Sequence, residues 1–86
     1  MVEPIDERLK QRWNIANGVL VSQVEEGSPA ALARLRRGDV ITLLAGQRIE
    51  TVAGFNKLVE GLPSGKMVPV RVIRGGSAGF VAIQVP

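Results

Sequence analysis

Gly18–Ile41, GVLVSQVEEGSPAALARLRRGDVI, is the stretch that decides how this chain folds. Its first part, Val19-Leu20-Val21-Ser22-Gln23-Val24, is mostly apolar and β-branched and predicts a well-buried strand. Glu25-Glu26-Gly27 breaks that strand. Ser28-Pro29 then supplies a hydroxyl N-cap and a proline at the first helical position, where its missing N–H leaves no bond unmade. Ala30 to Leu35 therefore predicts one or two turns of small apolar helix. Arg36-Arg37-Gly38-Asp39 closes as a tight turn, because Gly38 tolerates positive φ and the Asp39 carboxylate can accept from nearby amides. Val40 to Leu44 follows as a second strand.

Upstream, Asp6 is placed to cap a helix over Glu7 to Trp13, with Leu9 and Trp13 one turn apart on one side. Asn17-Gly18 ends that segment with a turn, and the first few residues read as a further strand. Downstream, Ala45-Gly46-Gln47 turns the chain into the short stretch Arg48-Ile49. Thr51 caps the longest helix, Val52 to Leu62, in which Val52, Phe55, Leu58, Val59 and Leu62 keep helical spacing. Pro63-Ser64-Gly65 stops it. Met67 to Arg74 alternates as a strand, and its Pro69 predicts an edge or an irregularity. Gly75-Gly76 is a hairpin turn, from which Phe80 to Val85 returns with Val81, Ile83 and Val85 on one face.

The whole is 86 residues, enough for one domain, with 45% hydrophobic and 22% charged residues. Twelve Val, eight Leu and six Ile against two Phe, one Trp and no Tyr make the core aliphatic and favour pleated sheet. With no His and no Cys, Ser-His-Asp and Cys-His catalysis, Cys/His zinc sites and disulfides cannot be built from this chain. A carboxylate pair such as Asp6 and Asp39 is what remains for catalysis, and both have capping explanations. No apolar run is long enough to span a membrane. Net charge is +3, but the cations are scattered, with Arg34, Arg36 and Arg37 the tightest group, which reads as a solvated turn. A nucleic-acid surface needs more converging cations and more stacking aromatics.

Three pieces in order, Gly18-Val19-Leu20-Val21, Gly27-Ser28-Pro29-Ala30-Ala31 and Leu35-Arg36-Arg37-Gly38-Asp39-Val40-Ile41, resemble the PDZ domain. The match covers nearly the whole chain. It implies an α+β fold, a partly open β-sandwich or barrel of about five strands with two to three helices. The circularly permuted bacterial type fits better, since the chain finishes on a full strand after Gly75-Gly76. Ile5 to Gln11 ahead of Gly18 is similar to the second PDZ domain of periplasmic HtrA/Deg serine endoproteases of the MucD-like kind. Site-2 intramembrane proteases, C-terminal processing proteases and a type II secretion component carry related domains.

The resemblance implies a noncatalytic module that adds a partner's C-terminus, or an exposed hydrophobic segment of an unfolded protein, to a sheet edge as an extra strand. It implies no catalytic residue in this chain, no cofactor, no metal, and a periplasmic parent whose protease domain and other PDZ domain are further partners. Neither nucleic acid nor membrane insertion is implied. Carried onto this sequence, the groove strand falls on Val2, Glu3, Pro4 and Ile5, and the groove face of the long helix on Val52, Asn56 and Val59, with Phe55, Leu58 and Leu62 turned to the core. The alternative is a docking or oligomerisation domain that binds no free peptide.

Two departures bear on this. The family's carboxylate-binding loop, a hydrophobic-Gly-hydrophobic segment, belongs just before the groove strand. Residues 1–86 are thus expected to be a single PDZ domain truncated at its N-terminus, most of that loop missing, which binds C-termini weakly. Arg34 stands where the family often has glycine ahead of Leu35. A left-handed arginine costs about 1 kcal/mol, so either the helix ends differently or the strain is tolerated.

Overall fold

The computed structural model describes residues 1–85. In chain order it contains β1 (Val2–Pro4), α1 (Glu7–Trp13), β2 (Val19–Val21), α2 (Pro29–Leu32), β3 (Val40–Leu44), β4 (Gln47–Arg48), α3 (Val52–Gly61), β5 (Met67–Arg74) and β6 (Ser77–Gln84). All strand pairs are antiparallel, in the order β1-β2-β3-β5-β6, with β4 attached to β3. Among the described residues the sheet is open: β1 and β6 lie at its two margins and do not pair with each other.

Each helix starts where a side-chain oxygen satisfies an orphan amide. Asp6 accepts from Leu9 N–H at 2.9 Å, Ser28 from Ala31 N–H at 3.2 Å and Thr51 from Gly54 N–H at 2.9 Å. Alternation along the strands then sends apolar groups to both faces. Val19, Val21, Ile41, Leu44, Val68, Val70 and Val72 form the larger core, against which α3 packs Phe55, Leu58 and Val59. Ile5, Ile15, Val40 and Ile73 form the smaller one, under Leu9 and Trp13 of α1.

One irregularity explains an apparent break in the pattern of β3. Ile41 pairs with Val72 and Leu43 with Arg71, so Thr42 is an extra residue, a β-bulge. The bulge shifts parity, and Leu44 rather than Leu43 reaches the larger core. Thr42 Oγ1 is occupied by Arg71 Nη1 at 3.0 Å, and its carbonyl accepts from the side chain of Asn17 at 3.1 Å. Pro69, which suggested an edge or an irregularity, lies in β5, between β3 and β6, where the ladder to β3 has just ended. β3 ends at the Leu44–Val70 pair, and the Pro69 carbonyl takes Ala45 N–H at 2.8 Å, so the missing proline donor falls where no strand partner awaits it.

The end of α2 answers the question posed by Arg34. Its φ is 65°, the left-handed region. Leu35 N–H donates to Ala30 C=O and Arg34 N–H to Ala31 C=O, each at 3.0 Å, the paired bonds of a Schellman cap normally built around glycine. The arginine thus accepts a strain of about 1 kcal/mol. Its carbonyl is held by Arg74 Nη2 at 2.9 Å. The same guanidinium grips Asp39 with Nε to Oδ1 at 2.9 Å and Nη2 to Oδ2 at 2.7 Å, while Arg36 N–H donates to Oδ2 at 2.9 Å. Asp39 is 2% exposed, and burial alone would raise its pKa. The hydrogen bonds from Arg74 and from Arg36 N–H, with the charges of both arginines, outweigh burial and hold it below its ordinary value of 3.8.

Candidate functional site

β1 has β2 on one side and no strand on the other among the described residues. Ser22 N–H donates to Met1 C=O at 3.0 Å, and Glu3 pairs with Leu20 two residues on. In the alternation of an antiparallel ladder, Met1 and Glu3 therefore face β2, and Val2 and Pro4 turn their backbone to the open edge. That edge offers Val2 N–H, Val2 C=O and Pro4 C=O; Pro4 has no N–H to give.

α3 lies along this edge. Near its start, Val52 and Thr51 share a depression with Pro4, Ile5 and Asn17. Near its end, Val59 lines a cavity of about 250 Å³ together with Met1, Phe55 and Leu62, floored by Ile41, Leu44 and Val70. The helix thus runs opposite to β1, and an extended segment added antiparallel to β1 ends at Met1 and Val59. Its last side chain is then next to the apolar cavity. Such a cleft combines an open backbone edge with one hydrophobic pocket.

The residues expected at the groove are not all placed alike. Val2, Pro4, Ile5, Val52 and Val59 border the cleft or its two end cavities. Glu3 is exposed and gives its backbone to β2, and Asn56 is exposed and lines neither cavity. Ile5 is largely buried in the smaller core. Phe55 and Leu62, which helical spacing assigned to the core, also line the cavity, as do Met1 and Ile83. Periodicity identifies the apolar face of α3 but does not tell a wall from a floor, because this face is broad enough to be both.

Asp6 and Asp39 serve locally. Asp6 caps α1 and Asp39 is bound by Arg74, so their lone pairs have neighbours of their own. Among the described residues no three of Asp, Glu, His and Cys come together as a metal-binding group, and no helix is long and apolar enough to cross a membrane.

Beside this geometry, residues 2–85 of the sequence match a family model described as PDZ domain. This chain belongs to the PDZ domain family. A curated relative, named "Probable periplasmic serine endoprotease DegP-like", from Marinomonas sp. strain MWYL1, is 44% identical over 77 residues. That alignment takes in 90% of the PDZ domain but only 16% of the relative, so the domain spans about one sixth of that protein. A solved structure of the HtrA-type protease AlgW, in a variant form with a decapeptide, superposes at a TM-score of 0.91 with 23% identity, over 99% of this chain and 26% of the other. The HtrA3 PDZ domain bound to a phage-derived ligand, FGRWV, superposes at 0.81 with 20% identity over 98% of this chain and 78% of the other. Both show that the fold is shared.

Proposed function

We propose that this PDZ domain is the noncatalytic recognition unit of a longer periplasmic serine endoprotease of the HtrA/Deg kind, and that it captures C-terminal or exposed hydrophobic segments by strand addition to β1. The observation that carries the reading is the cleft between the open edge of β1 and α3, closed at one end by the apolar cavity at Val59. The relative's name supports the periplasmic protease parent, and the peptide-bearing neighbours support a peptide as the occupant. Proteolysis belongs to a separate domain of that parent, since this chain has no histidine. The protease domain and another PDZ domain are then the partners in the same chain.

The test is the Val59→Glu variant titrated with the peptide FGRWV bearing a free carboxylate. A carboxylate set into the apolar cavity, next to the peptide's own, weakens binding by about 30-fold or more, equivalent to about 2 kcal/mol. Thermal unfolding stays cooperative. Unchanged affinity overturns the placement of the groove, and loss of cooperative unfolding makes Val59 a core residue instead.

A docking role without free-peptide binding is the second reading, favoured by Pro4. Strand addition here has one outward donor, Val2 N–H, where a residue other than proline at position 4 would provide two. Silence in the wild-type titration supports docking.

A further inference from the structure

The open edge of β1 is short, and a proline sets its end. Pairing with β2 runs from Val2 opposite Val21 to Pro4 opposite Val19, and Pro4 is the last residue of the strand that turns its backbone outward. The next residue in that alternation, Asp6, lies beyond β1 and is committed to α1. Its carbonyl accepts from Lys10 N–H at 3.2 Å and its carboxylate from Leu9 N–H at 2.9 Å. Proline at an outward position is also one of the devices that keep an exposed edge from pairing with a further long strand.

We propose, resting on the strand-addition reading above, that Pro4 restricts recognition at this edge to the last three residues of a chain end. Residues opposite each other in an antiparallel pair project to the same face, and Val2 packs toward the larger core, where the cavity lies. The ligand's last residue therefore sits opposite Val2 with its side chain toward the cavity. Its N–H donates to Val2 C=O and its carboxylate accepts from Val2 N–H. The residue before it, opposite Glu3, turns its backbone away from β1. The third from the end lies opposite Pro4 and donates its N–H to Pro4 C=O, but its own carbonyl meets a ring nitrogen that carries no hydrogen. Farther along, the ligand meets α1 in place of a strand. An internal segment of an unfolded protein gains by pairing along its length, and this edge has no such length to offer. A chain end needs only the two positions that Val2 and Pro4 supply.

The peptide FGRWV with a free carboxylate places its valine opposite Val2, its tryptophan opposite Glu3 and its arginine opposite Pro4. Dissociation constants from NMR titration of the 86-residue chain compare it with two backbone analogues. An ester between arginine and tryptophan weakens the carbonyl that faces Pro4, and the N–H it removes points away from β1. Affinity is expected to stay within about twofold. An ester between tryptophan and valine removes the N–H that donates to Val2 C=O, and binding is expected to weaken by about three- to tenfold. Pro4→Ala supplies the missing donor without touching the ladder to β2. This variant is expected to bind FGRWV about three- to tenfold tighter than the wild type, and to lose about as much with the arginine–tryptophan ester. The proposal is overturned if the wild type is as sensitive to the first ester as to the second, or if Pro4→Ala binds FGRWV no more tightly. No binding at all, or a tryptophan–valine ester without effect, instead overturns the strand-addition reading beneath it.

Discussion

Gly18→Ala is expected to remove about 3 kcal/mol or more of stability and to lower the melting temperature by about 12–24 °C in a domain of this size. Gly18 has φ 137°, a region closed to L-residues, and an added Cβ would lie 2.7 Å from the Ile41 carbonyl oxygen and 2.9 Å from Val40 Cγ1. Neither neighbour can withdraw. Val19 beside it pairs with Ile41 in the ladder, and Val40 is fully buried in the smaller core. Relief therefore means separating β2 from β3. Gly61→Ala is the control: Gly61 ends α3 with nothing within 4 Å of its added Cβ, so alanine there is neutral or gains up to about 1 kcal/mol. Circular-dichroism melts of both variants provide the comparison, and equal melting temperatures would refute the close-approach argument.

Asp39→Ala is the second large effect, a loss of about 2–4 kcal/mol in urea denaturation. The buried carboxylate receives two bonds from Arg74 and one from Arg36 N–H, and without it that amide has no acceptor in the turn. Arg74, with 44% of its side chain exposed, recovers part of its hydration, which keeps the loss below that of a fully buried pair. The same pair sets a pH dependence. Asp39 in the folded chain has a pKa below the ordinary 3.8, so the unfolded state binds more protons in that window and the pair's contribution is complete above about pH 4. It is lost as pH falls through the lower, folded value. Wild type should therefore lose more stability than Asp39→Ala on acidification below pH 4; parallel declines would mean that Asp39 is not held in this way.

Much of this architecture is legible in Gly18–Ile41. The cap at Ser28, the turn at Gly38 and the strand from Val40 act locally, through single hydrogen bonds and permitted backbone angles, and local chemistry is what a sequence displays. What escaped reading depends on partners distant in the chain. β2 stops at Val21 rather than Val24, because Gly38 N–H takes the Val21 carbonyl and the turn then leads away. β6 begins at Ser77 rather than Phe80, because Gly75 and Gly76, both at positive φ, make a two-residue loop that pairs Arg74 with Ser77 at once. Ser77-Ala78-Gly79 has little strand preference of its own. The Arg74 clamp on Asp39 spans 35 residues and leaves no local mark. At the cleft, helical spacing displays the apolar face of α3 that carries Val52, Phe55, Val59 and Leu62, whereas which of them line a cavity, and that Asn56 lines none, depends on where β6 and Met1 end up.

In the recognition mode proposed above, a peptide adds to the open edge of β1 and ends at the cavity beside Val59. Its most direct test is an NMR titration of this chain with FGRWV carrying a free carboxylate, following every amide and the valine methyl groups. Val2 N–H, the one outward donor of β1, is expected to move downfield and exchange more slowly, the Val59 methyls to shift with it, and Phe80 and Ala82 on β6 to stay in place. Shifts gathered on β6, or none anywhere at about millimolar peptide, would contradict it.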